Sequence, residues 1–218
     1  MKIYRLLLLV IASILVIAAK PGRGGGSFPW TQYKWGSNGA FSASGNGTNW
    51  SFATSGHNAA YNAIVITNNS GDLTGKTLIA TTTVTTTSGN PQYVFGGQLS
   101  GWNTGPNPPS YRFYISSSPP PYSNQGYTAC PHCYWWSNTG VAPVFSGVVT
   151  IMDGFDPTHW SNANGQSAVD FPVEFNAAVS NVKQCGLFFG GGSFYDVGVA
   201  ILNGTGSATF TLNSFTIN

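Results

Sequence analysis

The strongest constraint on the fold comes from residues 77–87, where two series of side chains alternate along the chain. Successive side chains of a β-strand point to opposite faces of a sheet, so this alternation predicts a strand with one packed face and one hydroxylated face. The first series is Leu78, Ala80, Thr82 and Val84, and the second is Ile79, Thr81, Thr83 and Thr85.

Short runs of β-branched and aromatic residues recur between clusters of Gly, Pro, Asn and Ser along the rest of the chain. This spacing is typical of an all-β sandwich or barrel, and about nine strands predict a two-sheet antiparallel β-sandwich. No stretch has the pattern of a long helix, and residues 175–182 are expected to make one helical turn. The predicted strands are 61–67, 77–87, 92–95, 111–115, 134–136, 148–152, 183–189, 194–200 and 207–217.

The N-terminus has the pattern of a secretory signal peptide. Lys2 and Arg5 precede an unbroken apolar run of fourteen residues, 6–19, whereas a bilayer-spanning helix needs roughly 20. We therefore predict a signal peptide at 1–19 and a secreted or cell-surface protein, with an uncleaved anchor as the alternative. The glycine-rich residues 20–27 are interpreted as a flexible leader, and 28–218 as a single β-sandwich domain.

The chain carries very little charge, and this limits its partners. Only 6 % of residues are charged, against about a quarter in ordinary soluble domains. Without residues 1–19, six Lys and Arg remain against six Asp and Glu. Nucleic acids and anionic membranes require a basic patch, so neither is an expected partner. A surface of Ser, Thr, Asn, Gln and Gly suits neutral, hydroxyl-rich partners such as a polysaccharide or another glycan.

The cysteines predict a disulfide and a free thiol. The motif Cys130-Pro131-His132-Cys133 matches the redox-active tetrapeptide of thioredoxin-like thiol oxidases, but aromatic residues and a turn follow it. Those enzymes need a helix there, whose N-terminus lowers the pKa of the first cysteine. We therefore predict a plain disulfide between Cys130 and Cys133 in an oxidising compartment. Cys185 is expected to be a buried free thiol.

Metal binding and catalysis have weaker support. No spacing of His and Cys predicts a transition-metal site, and no Asp-rich loop marks calcium, although structural calcium stays open. Asp170 and Glu174 would lie about 13 Å apart on an extended strand, too far for the paired carboxylates of a glycoside hydrolase. Asp153 and Asp156 are interpreted as residues of one turn. A glycan-active hydrolase is therefore the second alternative, and no catalytic residue is predicted.

The aromatic residues offer the best candidate site. Several tryptophans lie in polar, glycine-containing settings, where a sugar ring can stack on an indole; packing in the core is the alternative for each. Strand alternation puts Arg112 and Tyr114 on one face, where Arg112 is expected to pair with an acid such as Asp170 or to contact a ligand. The residues predicted to form one aromatic-polar groove for a neutral glycan are Trp102, Arg112, Tyr134, Trp136 and Trp160.

The C-terminal part resembles a known family. Residues 198–217, preceded by a turn and an apolar strand at 175–189, resemble the last strands of jelly-roll, galactose-binding-like carbohydrate-binding modules. In those modules the final strand ends in an apolar-Asp-Asn-apolar signature; here Asn213-Ser214-Phe215 replaces it, without the Asp. The resemblance implies a jelly-roll fold and a non-catalytic sugar site built from Trp, Tyr and Arg on the concave face or edge.

A structural role is the first alternative to glycan binding. A charge-poor, threonine-rich sandwich suits a cell-surface or filament subunit that assembles with copies of itself. In that hypothesis residues 77–87 form an exposed edge strand that accepts a strand from a neighbour.

Overall fold

The structure is a computed structural model that describes residues 30–35, 41–55, 61–95, 98, 107–118, 130–192 and 196–218. The predicted signal peptide, 1–19, and the leader, 20–27, lie outside these ranges. In chain order the strands are β1 (Trp30–Trp35), β2 (Phe41–Asn46), β3 (Asn49–Ser51), β4 (Thr54–Ser55), β5 (Tyr61–Gly71), β6 (Thr77–Gly89), β7 (Tyr93–Phe95), β8 (Ser110–Ser116), β9 (Tyr134–Pro143), β10 (Gly147–Gly154), β11 (Trp160–Asn162), β12 (Val182–Gly191), β13 (Asp196–Val197), β14 (Val199–Leu202) and β15 (Gly206–Ile217).

The strands form two sheets, antiparallel except for the short β4–β14 pair, and the predicted all-β sandwich is confirmed. The large sheet runs β11-β9-β8-β12-β5-β1-β2, with β4, β7, β13 and β14 attached beside this path. The small sheet runs β10-β6-β15-β3. When β3, β5, β6, β8, β9, β10, β12 and β15 are numbered 1 to 8, the small sheet reads 1-8-3-6 from β3, and the large sheet contains 2-7-4-5. That alternation between sheets is the connectivity of a jelly roll.

The core lies between the two sheets and is rich in aromatic rings. Trp50 of β3 stacks on Phe210 of β15 at 4.3 Å between ring centroids. Phe210 in turn meets Phe189 of β12, across the sandwich, at 5.1 Å. These rings bury large apolar areas and dominate the packing between the sheets.

Strand β6 has one packed face and one hydroxylated face, as its alternation predicts. Leu78 and Ala80 are fully buried, Thr82 and Val84 nearly so, and the intervening side chains point outward. However, β6 lies inside the small sheet, hydrogen-bonded to β10 on one side and to β15 on the other. The prediction that 77–87 form an exposed edge is therefore wrong, because alternation reports the faces of a strand and not its neighbours.

The outward face of the small sheet carries hydroxyl and amide side chains that hydrogen-bond between strands. The Oγ1 atoms of Thr81 in β6 and Thr150 in β10 are 2.9 Å apart. Asn213 Nδ2 in β15 donates to Thr83 Oγ1 in β6 at 2.6 Å. The four strands of this sheet contain one charged residue, Asp153, which is buried on the inward side. The outward side chains of β6 and β15 therefore form a neutral, hydroxyl-rich surface, the neutral hydroxyl lattice.

A short helix, α1 (Pro172–Val179), begins three residues before the predicted helical turn. Pro172 occupies its first turn, where the fixed φ of proline is already helical. Glu174 lies in that first turn and Asp170 in the turn before it. The expectation that these two carboxylates share an extended strand is therefore wrong. No helix in the described part of the chain is long and apolar enough to cross a bilayer.

The structure confirms the predicted disulfide and the predicted buried free thiol. Cys130 and Cys133 form a disulfide across the short 3₁₀ helix Pro131–Cys133, with their Cα atoms 5.3 Å apart. Strand β9 follows at once, so the helix that a thiol oxidase needs is replaced by extended chain. Cys185 is a free thiol buried in the core, and burial raises its pKa to about 12.

Candidate functional site

The candidate site is built around a wide bulge in β9. Arg112 of β8 pairs with Val141 of β9, but Tyr114 pairs with Trp136, so Phe113 alone lies opposite the four residues 137–140. A bulge bends its strand and redirects side chains out of the regular alternation. In the bulge, Ser137, Thr139 and the N–H of Gly140 face the small sheet. The amide of Asn138 faces outward, towards Arg112.

On the inward side, the bulge is held by the buried carboxylate of Asp153 in β10. Oδ2 of Asp153 accepts hydrogen bonds from Ser137 Oγ, from Thr139 Oγ1 at 2.7 Å and from the backbone N–H of Gly140 at 3.3 Å. Oδ1 lies 2.8 Å from Nδ1 of His159, at the end of the 3₁₀ helix Pro157–His159. We call these five residues the carboxylate clasp. The clasp ties the large sheet to the small one at a single acceptor group.

Gly140 is required by the close approach of the two sheets at the clasp. A Cβ atom on this residue would lie 2.5 Å from a ring carbon of Phe113 and 2.9 Å from Cβ of Asp153. Both distances are shorter than side chains tolerate, so only glycine fits at the end of this bulge.

The clasp holds serine, histidine and aspartate, but not in the order of a nucleophilic triad. In such a triad the imidazole lies between the acid and the hydroxyl and removes the hydroxyl proton. Here the carboxylate lies between Ser137 and His159, and the Ser137 hydroxyl also accepts the N–H of Gly140 at 2.6 Å. Ser137 is fully buried. The arrangement therefore supports a structural tie between the sheets.

The hydrogen bond from His159 makes folding pH-dependent. Its bond to the Asp153 carboxylate, and then the charges of Asp153 and Asp156, raise the pKa of His159 above its ordinary value of 6.5. A group with a raised folded-state pKa stabilises the fold fully below the unfolded pKa, and the contribution is lost as pH rises through the folded value.

We therefore expect the free energy of unfolding to fall as pH rises above about 6.5, the ordinary pKa of histidine. Denaturant unfolding at a series of pH values measures this slope. His159→Gln should flatten it, whereas His132→Gln leaves the clasp intact and should retain it. The lowered pKa values of Asp72 and Asp156 act only in acid, below their ordinary 3.8, and do not contribute in this window. An equal slope in His159→Gln would contradict the assignment.

On the outward side of the bulge lies a pocket of about 310 Å³. Its lining includes Ser110 and Arg112 of β8 and the bulge residues Ser137 and Asn138. Exposed apolar side chains, Pro108 and Val141, form part of its wall. The pocket therefore combines hydrogen-bonding groups with a small apolar surface.

Arg112 is held in place at this pocket. Its Nη1 donates to Oδ1 of Asn138 at 3.2 Å, and the same oxygen accepts from Ser161 Oγ of β11 at 3.1 Å. The guanidinium carbon lies 5.8 Å from the ring centroid of Trp136, within the range of a cation–π contact. These contacts orient the guanidinium before any ligand binds.

Of the residues predicted to form one groove, Arg112 lies beside Trp136, and Tyr134 lies in the same aromatic cluster as Trp136. This cluster packs on the face of the large sheet opposite the core. Tyr134 is 2 % exposed and Trp136 5 %, so neither presents an open ring for stacking in this conformation. Trp102 lies outside the described residues. The cluster consists of Tyr33, Tyr114, Tyr134, Trp136 and Phe188.

The prediction that Trp160 belongs to the same groove is wrong. Trp160 is fully buried in the core between the sheets, stacked on Phe155 at 5.2 Å between ring centroids. Its Nε1 donates to the carbonyl of Gly154 at 2.7 Å. The reason is register: Ser161, and not Trp160, is the β11 residue paired with Trp136. Ser161 therefore reaches the pocket side of the sheet.

Sequence reasoning missed Asn138, Ser161 and the whole carboxylate clasp. One signal was available: the polar tetrapeptide 137–140 interrupts a run of aromatic and apolar residues and ends in glycine. Asp153 was placed in a turn with Asp156, yet it lies within β10, and only Asp156 caps the 3₁₀ helix locally. Three of its four partners lie on β9, 13 to 16 residues away, and meet it only where the two sheets pack together.

Among the described residues, no three His, Cys, Asp or Glu side chains lie close enough together to hold a metal ion. Comparisons of the chain with protein-family models, with curated proteins and with solved structures found no match.

Proposed function

We propose that the protein is an exported, non-catalytic glycan-binding domain and that a neutral sugar binds in the pocket outside the β9 bulge. The observation that carries this proposal is the fixed orientation of Arg112 by Asn138 and Trp136, beside exposed apolar side chains. A sugar ring presents hydroxyl groups and C–H patches together. The guanidinium can donate to the hydroxyls while Val141 and Pro108 contact the C–H patches.

The size of the pocket indicates a short ligand segment and weak binding. A volume of about 310 Å³ is at the lower end of ligand sites, which span roughly 300–1,000 Å³. One sugar ring has about 12 heavy atoms, and at about 0.3 kcal/mol per atom it would bind with a dissociation constant in the millimolar range. A polysaccharide that engages several copies of the protein would bind more tightly through multivalency.

The position of the carboxylates supports binding without hydrolysis. Glycoside hydrolysis needs two carboxyl groups on either side of the scissile bond. No carboxylate is among the described residues that line the pocket. Asp153 is buried and accepts four hydrogen bonds, one of them from the pocket residue Ser137.

Arg112→Ala is expected to weaken glycan binding at least tenfold, because it removes the oriented donor in the pocket. The full chain would be expressed, purified from the exported fraction and screened on a glycan array, with calorimetry and a released-sugar assay on each hit. Lys76→Ala is the matched control, since Lys76 is an exposed cation in the turn before β6. Equal affinity of the two variants, or release of sugar, would overturn the proposal.

A further inference from the structure

Strand β10 is the longest edge strand of the described fold. The large sheet ends in β11, with three residues, and in β2, with six. The small sheet ends in β3, with three residues, and in β10, with eight. Proteins usually protect long edges with lysine, with proline or by covering them. β10 contains neither Lys, Arg nor Pro.

The outward side chains of β10 are apolar at two symmetric positions. Val148 is 68 % exposed and Met152 is 63 % exposed, and Thr150 lies midway between them. Across the described residues, four of the six exposed large apolar side chains fall between 141 and 152. The charged residue of this strand, Asp153, is buried in the clasp and faces away from the edge.

We propose that β10 is the interface of a homodimer, in which it pairs antiparallel with β10 of a second copy. With Thr150 opposite itself, Val148 of each copy lies beside Met152 of the other. The two small sheets then form one continuous eight-stranded sheet. Such an interface is isologous, since each pair of contacts occurs twice about a two-fold axis.

A second copy is the occupant that this edge fits best. An antiparallel partner must carry apolar side chains four residues apart on one face, and β10 itself has that pattern. The edge carries no outward charge, so two copies meet without electrostatic repulsion. In the described structure β10 pairs with β6 along one side, and its terminal residue Gly154 is engaged by Trp160. A partner strand would bind along the other side of β10.

The register can be tested by disulfide cross-linking of the exported chain. Directly opposite residues of an antiparallel pair have Cα atoms about 4.5–5.5 Å apart, which a disulfide spans. Thr150→Cys should therefore form a covalent dimer under mild oxidation. Val148→Cys and Met152→Cys should not cross-link alone but should cross-link when mixed. The native cysteines interfere little, because Cys130 and Cys133 are bonded and Cys185 is buried.

The association itself can be tested by sedimentation over a range of protein concentrations. The unmodified chain should show a concentration-dependent doubling of mass. Val148→Lys and Met152→Lys should raise the dimer dissociation constant at least tenfold, because each places charge at the paired edge. Val173→Lys, at a 75 % exposed position on α1, should leave it unchanged. A monomer at every concentration, an equal response of all three variants, or failure of Thr150→Cys to cross-link would overturn the proposal.

Discussion

Asp153→Ala is expected to lower the free energy of unfolding by about 2–4 kcal/mol. The substitution removes the acceptor shared by Ser137, Thr139, the N–H of Gly140 and His159. A buried donor that loses its partner bears its full desolvation cost, and Ser137 is fully buried. Denaturant unfolding monitored by circular dichroism measures the change.

The matched control for this experiment is Asp156→Ala. Asp156 is exposed and accepts from the N–H of Thr158 at the start of the 3₁₀ helix Pro157–His159. Loss of such a cap costs about 0.5–2 kcal/mol. If Asp153→Ala were no more destabilising than this control, the clasp would not hold the two sheets together. Asp153→Ala should also weaken glycan binding, because the bulge that presents Asn138 to Arg112 would relax.

Trp160→Ala is expected to lower the free energy of unfolding by about 3–5 kcal/mol, the usual cost of removing a buried tryptophan. Its ring packs against Phe155 and Phe175 between the sheets, with centroids 5.2 Å and 6.0 Å away. The substitution would also remove the indole N–H that donates to the carbonyl of Gly154. Circular dichroism during urea unfolding measures the change and does not depend on tryptophan fluorescence.

Glycan affinity separates the two roles that the sequence allowed for Trp160. If the residue belongs to the core, the folded fraction of Trp160→Ala should bind glycan within about twofold of the parent chain. A variant with unchanged stability and lost binding would restore the sequence-based prediction of a ligand contact. Val173→Ala, which truncates an exposed side chain on α1, controls for substitution as such.

More of the fold than of the candidate site could be predicted from the sequence. The period-two pattern of β6 is local, so its faces follow from sequence alone. Its neighbours β10 and β15 are determined by contacts distant in sequence, and the assignment of β6 as an edge failed for that reason. Strands β2 and β3 have few β-branched residues, with sequences FSASGN and NWS, and were not predicted.

The candidate site depends on register, which the sequence does not display. Alternation predicts that Trp135 and Trp136 face opposite sides of β9, but not which of them faces the core. The bulge at 137–140 then shifts every later residue of β9 relative to β8. One residue of register in β11 decides between Trp160 and Ser161 at the pocket. Arg112 lies beside Trp136, on the side of β8 that simple alternation predicts.

The neutral hydroxyl lattice on the small sheet should make the hydration of this face independent of pH and salt. Hydroxyl and amide groups keep the same state of protonation in mild acid and mild alkali, and they attract no cloud of counter-ions. Because this face carries no charge, a change in salt concentration neither strengthens nor screens electrostatic repulsion there. Water bound to uncharged oxygen atoms hydrates this surface, and such water is held equally well at low and at high ionic strength.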